Sequence, residues 1–432
     1  MKTETRKNAE LTKKYKDFLF PSVITYYQEP LPLVSGKGCR VMDAEGGEYL
    51  DFFGGILTVS IAHCHEKITK RTAEQLKKLQ HVSTLYPTKP AADLAEKLAS
   101  ICPGGLRRSF FTNSGTEADE MAVMTAQHAT GNQEIICLRH SYSGRSAMAM
   151  NMTAHSPWRI SKTLMPGIKH AHAAYCYRCP FKLSYPSCDL ACAKDVEELI
   201  QTETCGKVAA FLAEPVMGVG GFVVPPKDYF KVVTDIVHKY GGLFIADEVQ
   251  TGWGRTGGKW FGIEHFGVNP DIMTSAKGMA NGLPIGWTIT TDKIAESLKG
   301  LTISTFGGNP VSCAAAHATI DAIEEEGLLQ KTEKLGHILR GHLLEFQKSF
   351  PCIGDVRGMG LMAGVELVLD RKTKAPDAKS VVKIFEETRK EGLLIGKGGL
   401  YGNILRISPP MGISLAELEE GIKKLRKAFE RL

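Results

Sequence analysis

Residues 270–284 read Pro270-Asp271-Ile272-Met273-Thr274-Ser275-Ala276-Lys277-Gly278-Met279-Ala280-Asn281-Gly282-Leu283-Pro284. An apolar run leads to a single lysine, Lys277, which small residues flank on both sides. We expect a buried strand to end just before Lys277, at the edge where α/β proteins place their reactive groups. Burial of a lysine disfavours its ammonium form and favours the nucleophilic amine that Schiff-base chemistry needs. In isolation, a Lys-Gly pair is more often a surface lysine in a glycine-rich loop, so other parts of the chain must decide between the two interpretations.

The chain on both sides of Lys277 alternates short apolar runs with helical segments such as residues 227–240. Runs that are apolar on both faces and separated by helices are typical of a mostly parallel sheet covered on both sides. We therefore predict an α/β fold with this sheet at its centre. The predicted strands lie at residues 110–111, 135–138, 208–213, 243–246, 272–273 and 285–290.

The length of 432 residues exceeds what one ordinary core supports and predicts two or three lobes. Beyond residue 310 the chain becomes helix-rich, shows a strand pattern at residues 360–367, and closes with a helix that begins at a capping box of Ser414 and Glu417. Near the N-terminus, residues 36–51 predict a hairpin. We predict a large domain at residues 59–315, a smaller α+β domain at 316–432, and a segment at 1–58 that joins the smaller domain.

The composition excludes several classes of protein. The apolar and charged fractions, 43% and 23%, are those of a globular chain, and the formal net charge of +6 is spread over basic residues interleaved with acids. We therefore expect no nucleic-acid patch. No apolar run approaches the ~18 residues of a membrane span, and the first residues lack the apolar core of a secretory signal. The 11 cysteines then indicate a reducing compartment, and we expect the cytoplasm.

Polar residues follow four of the predicted strands. Ser114, Gly115 and Thr116 come after the first strand and open a helix, so that backbone N–H groups and hydroxyls would face an anion. The alternative is an ordinary capping box of Ser114 with Glu117. Tyr142 follows another apolar run and is suited to stacking on a flat ring, although a half-buried tyrosine is the simpler interpretation.

Two acids complete the pattern. Asp247 follows four apolar residues, and Glu214 ends the apolar run before Pro215. A buried carboxylate needs a cationic partner, and a pyridinium N–H would serve. Each acid alone is more simply a strand-end carboxylate that faces water or caps a helix. An anion-binding turn, an aromatic ring, a buried acid and a buried lysine at strand ends of one sheet together indicate a pyridoxal-phosphate site, with Lys277 as the Schiff-base lysine.

The motifs at these strand ends resemble those of class III aminotransferases, which are fold-type I pyridoxal-phosphate enzymes. Within that class the chain is similar to the alanine–glyoxylate aminotransferase 2 branch. The resemblance covers residues 30–430 approximately. It is carried by residues 113–118 (Asn-Ser-Gly-Thr-Glu-Ala), 213–215 (Ala-Glu-Pro), 246–255 (Ala-Asp-Glu-Val-Gln-Thr-Gly-Trp-Gly-Arg), 276–278 (Ala-Lys-Gly) and 305–310 (Thr-Phe-Gly-Gly-Asn-Pro), with branch-level similarity at residues 58–65 and 354–358.

The resemblance implies roles toward the cofactor. Lys277 matches the Schiff-base lysine, and Asp247 matches the partner of the pyridine nitrogen. Gln250 matches the residue that bonds the phenolic oxygen of the cofactor. The phosphate ligands implied are the helix-opening turn with its Ser114, Gly115 and Thr116, and a threonine at position 305 that the neighbouring subunit donates. The family commonly has an aromatic-His-Gly sequence where this chain has Tyr142-Ser143-Gly144, and Asp119 stands where the family usually has Asn.

The resemblance also implies roles toward the substrate. Arg406 matches an arginine that clamps a substrate carboxylate with two hydrogen bonds. Glu214 matches an acid that neutralises this arginine when an uncharged substrate end is accepted. The partner implied by a shared phosphate site is a second copy of the chain, as a homodimer with shared active sites or a tetramer.

The predicted activity is transfer of an amino group from an amino acid or ω-amino compound to a small 2-oxo acid such as pyruvate or glyoxylate, in a ping-pong cycle. Amine transaminases, aminomutases and lyases on the same scaffold are alternatives. A remote alternative is a nicotinamide-dependent oxidoreductase, because residues 252–257 match the GxGxxG fingerprint. It requires a helix to start there.

Four cysteines raise the question of a metal. Cys176 and Cys179 have CxxC spacing, and Cys188 and Cys192 have CxxxC spacing, which a four-thiolate zinc site would tolerate. The second spacing is unusual for zinc, and reduced thiols in a loop are the simpler interpretation. We therefore predict no metal.

Overall fold

The computed structural model describes residues 5–161 and 164–432. Its strands are β1 (Leu33–Lys37), β2 (Arg40–Asp43), β3 (Glu48–Asp51), β4 (Arg108–Thr112), β5 (Ile135–Leu138), β6 (Ile168–Ala171), β7 (Ala210–Ala213), β8 (Leu243–Asp247), β9 (Ile272–Ser275), β10 (Gly286–Thr290), β11 (Ile353–Met359), β12 (Met362–Asp370), β13 (Ala375–Pro376), β14 (Leu393–Leu394), β15 (Gly396–Gly398) and β16 (Ile404–Ile407).

The α-helices are α1 (Thr5–Phe18), α2 (Gly54–Leu57), α3 (Glu66–Lys78), α4 (Lys89–Ile101), α5 (Gly115–Thr130), α6 (Ala147–Met152), α7 (Ala191–Glu203), α8 (Tyr229–Lys239), α9 (Asp292–Ala295), α10 (Pro310–Glu325), α11 (Leu328–Ser349), α12 (Ala378–Lys390) and α13 (Leu415–Glu430). Short 3₁₀ turns occupy Ser156–Trp158, Cys176–Arg178, Gly262–Phe266 and Lys277–Ala280.

The central sheet has seven strands in the order β4-β10-β9-β8-β7-β5-β6. The five strands from β9 to β6 pair in parallel. Strand β10 is antiparallel to both of its neighbours, β9 and β4. Strands β5, β7, β8 and β9 carry almost only apolar side chains, and their residues are buried apart from Leu243 at the start of β8, as expected for strands with helices on both faces. The predicted α/β fold with a mostly parallel sheet is confirmed.

Two smaller sheets complete the fold. The strand order is β1-β2-β3-β14 in one and β11-β12-β16-β15 in the other, with β13 paired to β12. The pairing of β3 with β14 brings the N-terminal hairpin beside the C-terminal part of the chain. The C-terminal helix begins at Ser414, whose hydroxyl accepts the N–H of Glu417, while the Glu417 carboxylate accepts the N–H of Ser414, which is the predicted capping box.

Two large apolar clusters lie under these sheets. One spans residues 61–328 together with Met411 and surrounds the central sheet. The other joins Cys39, Leu50 and Phe52 to side chains between residues 335 and 429. The domain limits at residues 58 and 315 stay a proposal; the first cluster continues past residue 315 along α10 and reaches Leu328. Among residues 5–161 and 164–432, no helix is both long and apolar enough to cross a bilayer.

Candidate active site

The C-terminal ends of the parallel strands surround a cavity of about 180 Å³. Parallel strands that end at one edge of a sheet bring the residues that follow them together, which is why residues far apart in sequence meet here. Eight of the predicted site residues line the cavity. The lining residues are Gly115, Thr116, Asp119, Tyr142, Ser143, Gly144, Glu214, Asp247, Val249, Gln250 and Lys277.

Lys277 follows β9, with Ala276 between the strand and the lysine. Its backbone has a φ of +38°, in the left-handed region that non-glycine residues seldom adopt. Backbone strain of this kind is concentrated at functional sites, where the surrounding structure holds it. Burial lowers the pKa of Lys277, and the carboxylates of Asp247 and Glu214 oppose that shift. The surface-loop interpretation of this lysine is therefore wrong.

Asp247 is the last residue of β8 and is buried. Its Oδ1 accepts the backbone N–H of Val249 at 2.9 Å, which orients the carboxylate at the strand end. Burial raises the pKa of Asp247 to about 6, while the Val249 N–H and the charge of Lys277 act in the opposite direction. An acid and a lysine with perturbed pKa values in one cavity are typical of a catalytic site.

The first turn of α5 forms one wall of the cavity. Ser114 caps this helix by accepting the N–H of Glu117 at 3.3 Å, as the ordinary capping interpretation expects, and it is not among the residues that line the cavity. Its predicted contact with an anion stays a prediction. Gly115 and Thr116 reach the cavity. The positive end of the helix and its free N–H groups favour an anion at this position.

The turn after β5 forms the opposite wall. Among the described residues, the buried Ser143 hydroxyl has no hydrogen-bond partner. At Gly144 a Cβ atom would lie 2.0 Å from Oγ1 of Thr116, so the two walls approach too closely for any other residue. Buried hydroxyls are almost always hydrogen-bonded. An orphaned hydroxyl opposite a helix N-terminus fits a phosphate group, and the carboxylate of Asp247 fits a protonated ring nitrogen.

Glu214 and Gln250 also line the cavity. The Glu214 carboxylate accepts the backbone N–H groups of Tyr142, at 3.1 Å, and Gly218, at 2.7 Å. Burial and the nearby Asp247 charge raise the pKa of Glu214 to about 8. A Cβ at Gly218 would lie 2.3 Å from the Gln250 side chain, so glycine is required there for Gln250 to fit.

Arg406 stands behind this wall and is buried. Its Nη2 donates to Oε1 of Gln250 at 2.6 Å. Its guanidinium lies 4.6 Å from the ring centre of Phe222 and 5.2 Å from that of Phe53, close enough for cation–π attraction. Among the described residues, its Nε has no partner. Burial lowers the pKa of Arg406 to about 10, but the guanidinium stays charged at neutral pH.

The structure adds residues that the sequence did not single out. Gly144 and Val249 line the cavity, and the rings of Phe53 and Phe222 lie against Arg406. Gly144 could have been found from its place directly after Tyr142 and Ser143, whereas Phe53 and Phe222 come from distant segments and carry no local signal. Tyr142 lines the cavity, and its ring meets Trp158 edge to face at 5.8 Å.

Thr305 lies on an exposed segment and does not reach the cavity of its own chain. The fingerprint at residues 252–257 runs through turns into the 3₁₀ turn Gly262–Phe266, so no α-helix starts after it in the described chain. The nicotinamide alternative is wrong. In the part of the chain that the structure describes, no group of three or more His, Cys, Asp or Glu side chains is arranged to hold a metal ion.

A mostly parallel sheet with a lysine and a buried acid after neighbouring strands defines the class, a fold-type I pyridoxal-phosphate transferase. The chain belongs to the aminotransferase class-III family, whose model matches residues 25–429. It is therefore an aminotransferase-family enzyme that depends on pyridoxal 5'-phosphate. This confirms the family resemblance and the cofactor predicted from the motifs.

Three similar proteins illustrate the range of the family. The alanine–glyoxylate aminotransferase 2 homolog 2 of Arabidopsis thaliana is 43% identical over 92% of this chain and 82% of its own. The leucine/methionine racemase of Thermococcus litoralis is 38% identical over 97% of this chain and 95% of its own. A Bacillus anthracis aminotransferase of known structure superposes with a TM-score of 0.94 at 32% identity, over 100% of both chains.

Proposed function

We propose that the enzyme transfers the amino group of an amino acid or ω-amino compound to a small 2-oxo acid such as pyruvate or glyoxylate, in a ping-pong cycle. The observation that carries this proposal is one cavity that joins Lys277 and Asp247 to Gln250, which in turn holds Arg406. The similarity to an alanine–glyoxylate aminotransferase 2 homolog supports a short 2-oxo acid as acceptor.

The cofactor, when bound, supplies the electron sink that stabilises the negative charge left when a substrate Cα proton is removed. The chain supplies the groups that bind this cofactor and move that proton. The turn at Gly115 and Thr116 and the hydroxyl of Ser143 would hold the phosphate. Asp247 would hold the proton on the ring nitrogen through a charge-assisted hydrogen bond.

Lys277 is the proposed base. Because burial lowers the pKa of Lys277, its amine is neutral in a larger fraction of the molecules at neutral pH than the amine of a surface lysine is. A neutral Nζ would accept the substrate Cα proton, and the ammonium formed in this way would be the acid that gives a proton back. The nearby carboxylates of Asp247 and Glu214 act against this shift and keep the ammonium form accessible, so that the same nitrogen can both accept and donate a proton.

Arg406 is the proposed carboxylate clamp. Its Nη2 is engaged by Gln250, while its Nε has no partner among the described residues. A buried guanidinium with unused donors gains from a bidentate carboxylate. The rings of Phe53 and Phe222 both lie within cation–π distance of this guanidinium. Glu214 is the proposed counter-charge when a substrate end is uncharged, a role that requires its ionised form. Its raised pKa makes that form less populated at neutral pH than for an exposed glutamate.

We propose a homodimer, or a tetramer of two such dimers, in which Thr305 completes the partner's phosphate site. Thr305 is exposed, and its neighbours Ile303 and Phe306 expose 55% and 60% of their surface. Large apolar side chains that are exposed together are typical of an interface.

All 11 cysteines are free thiols, which supports a reducing compartment, and we propose the cytoplasm.

A donor–acceptor panel tests the activity. The donors are β-alanine, 4-aminobutyrate, alanine and 1-phenylethylamine, each with pyruvate or glyoxylate. We expect transfer from at least one amino acid donor, and parallel double-reciprocal lines when both substrates vary. Transfer from 1-phenylethylamine alone would instead identify an amine transaminase, and intersecting lines would contradict the ping-pong cycle.

A second candidate is racemisation of an amino acid, which the similarity to the leucine/methionine racemase favours. Racemisation uses the same removal of the Cα proton but returns it to either face of the carbon. Single enantiomers of leucine and methionine, incubated without any 2-oxo acid, distinguish the two. Loss of optical purity at the rate of the best transfer reaction would favour the racemase, and unchanged purity favours the aminotransferase. Product analysis in the same incubation would reveal an aminomutase or lyase.

A further inference from the structure

Three acids, not two, are buried at the cavity. Asp119, Glu214 and Asp247 expose only 1%, 5% and 3% of their surface, and all three line it. Two cations are near them, Lys277 and Arg406. Three carboxylates therefore lie near only these two cations, and one of the cations, Arg406, also donates to Gln250. An ionised carboxylate that is buried without a cation or several donors is strongly unfavourable.

The three acids differ in the donors that the structure gives them. Glu214 accepts two backbone N–H groups. Asp247 accepts one backbone N–H group and has Lys277 as its opposite charge. The side chain of Asp119 accepts a single hydrogen bond, which the Thr274 hydroxyl donates to Oδ1 at 2.7 Å. Asp119 is therefore the acid whose charge is least compensated.

The position of Thr274 places Asp119 beside Asp247. Thr274 on β9 is the register partner of Asp247 on β8, so the two side chains project from the same face of the sheet on adjacent strands about 5 Å apart. Helix α5 packs on this face and carries Asp119 to the Thr274 hydroxyl. A carboxyl that reaches Thr274 also reaches the immediate surroundings of Asp247.

We propose that Asp119 is a neutral carboxylic acid in the folded protein and that it positions Asp247 by donating a hydrogen bond to its carboxylate. The inference rests on the proposed role of Asp247 toward the cofactor ring. Thr274 occupies one oxygen of Asp119, and the other carries the proton. A hydrogen bond to the ionised form of Asp247 favours that form. It thereby keeps the carboxylate charged and turned toward the ring nitrogen.

The electrostatics of the surroundings agree. Burial and the charge of Asp247 raise the pKa of Asp119 well above its usual value. The titratable groups that face it are Asp247 and Glu214 from the neighbouring strand ends, Lys277 after β9, and Cys137 on β5. Of these only Lys277 opposes the shift, because the ionised forms of Asp247 and Glu214 are negative, and burial raises the pKa of the Cys137 thiol so that it is uncharged at neutral pH.

The first experiment tests the protonation of Asp119 through the stability of the full chain. Asp119→Asn keeps the shape and a donor but cannot ionise. If the folded wild type holds a proton that the unfolded chain releases, wild-type stability falls as pH rises above the ordinary aspartate pKa. The ratio of the two unfolding constants then changes by about tenfold per pH unit. We expect the Tm of Asp119→Asn to exceed that of wild type by a margin that widens from pH 5 to 8, with and without cofactor. Parallel curves would overturn the neutral acid.

The second experiment tests the positioning of Asp247. Pyridoxal phosphate affinity is measured by fluorescence titration for Asp119→Asn and for Asp119→Leu, which fills the space but donates no hydrogen bond. We expect affinity within a few-fold of wild type for the first and a loss of at least tenfold for the second. If Asp119→Leu bound pyridoxal phosphate as tightly as wild type does, the positioning role of Asp119 would be overturned. If that variant does not fold, Thr274→Val, with Thr288→Val as the matched control, tests the same contact, since Thr288 instead donates to the carbonyl of Ala118.

These experiments distinguish failure of the inference about Asp119 from failure of the proposed function. The pH dependence of Tm does not require Asp247 to have any catalytic role, so it reports on Asp119 alone. If the neutral acid is verified but no transfer is found with any donor, the proposed function fails while the inference about Asp119 stands.

Discussion

At the scale of the residue, Lys277 is the most specific test of the proposed chemistry. We expect Lys277→Ala to remove the covalently attached, visibly absorbing form of the cofactor and to lower kcat by at least about 10²–10⁴-fold, the usual contribution of a positioned base. Visible spectra and single-substrate turnover measure the two effects. Lys259→Ala is the control, because that lysine is exposed. Retention of both signals in Lys277→Ala would contradict the assignment.

Arg406 allows the substrate class to be tested at the same scale. Hydrogen bonds to a charged group contribute about 1.5–3 kcal/mol, so Arg406→Ala should raise KM for amino acids by about 10- to 100-fold. The KM for 1-phenylethylamine, which has no carboxylate, should change much less. Arg406→Lys retains the charge without the planar fork and should be intermediate. Equal changes for both kinds of substrate would argue against a carboxylate clamp.

At the scale of the element, the closeness of the two walls of the cavity makes a prediction about glycine. Gly144→Ala would place a Cβ 2.0 Å from Oγ1 of Thr116, at a φ of +132°. Gly282 has a similar φ of +117° but nothing within 4 Å, so Gly282→Ala shares the backbone strain without the collision. We expect cofactor affinity to fall by more than tenfold for Gly144→Ala only. A comparable loss in both variants would mean that strain, not closure of the phosphate site, is responsible.

The elements also show how far the sequence alone reaches. The strand predicted at residues 135–138 has the predicted bounds, and the helix predicted at residues 227–240 is found at Tyr229–Lys239, because uninterrupted apolar runs and helical periodicity dominate there. Strand β6 was missed, since Lys169 and His170 interrupt its apolar pattern at the edge of the sheet. The reversed direction of β10 was not predicted either, because an apolar run carries no sign of its direction.

In the site, too, some features were predicted from the sequence and others were not. Residues at or just after the end of a strand, such as Asp247 and Lys277, were found because a polar group after an apolar run is a local signal. The hydrogen bond from Arg406 to Gln250 joins residues 156 positions apart and has no such signal. The same is true of the contact between Thr274 and Asp119, 155 positions apart. Only the packing of α5 on the sheet brings that acid to Asp247.

At the scale of the whole molecule, a buried ionic network joins the segment after β6 to the sheet of β11 and β12. Glu366 is fully buried and accepts hydrogen bonds from Tyr175 and Arg178 of that segment, and from Arg357 of β11 at 2.8 Å. Glu366 therefore holds two distant parts of the chain together.

Removal of the charge of Glu366 should destabilise the protein strongly. Breaking a buried ion pair from one side leaves its cations unpaired and costs about 3–5 kcal/mol, so we expect Glu366→Gln to lower the midpoint of thermal unfolding by several degrees. Glu345→Gln is the control, because Glu345 pairs with Lys348 on the surface, where ion pairs contribute about 0–1 kcal/mol. Equal midpoints for the two variants would show that the network does not join the two parts.

The proposed sharing of active sites between subunits leads to a complementation test. Lys277→Ala inactivates the site of its own chain. Thr305→Glu places a negative charge where the partner's phosphate is proposed to lie, so it should inactivate the site of the other chain. Each variant alone therefore forms inactive homodimers. In a mixed dimer, the chain with Thr305→Glu keeps its own Lys277 and receives an intact Thr305 from its partner.

Co-expression of the two variants with different affinity tags, followed by purification through both tags, isolates these mixed dimers. Since a symmetric dimer has two equivalent sites, one native site per dimer should restore about half of the wild-type kcat. If Thr305 instead served its own chain, one subunit would lack the lysine and the other the phosphate contact, and the mixed dimer would be as inactive as its parents. Sedimentation of each preparation verifies that the proteins compared are dimers, because a monomer would also be inactive. Recovery of activity on mixing therefore requires both that the chain dimerises and that Thr305 acts across the interface.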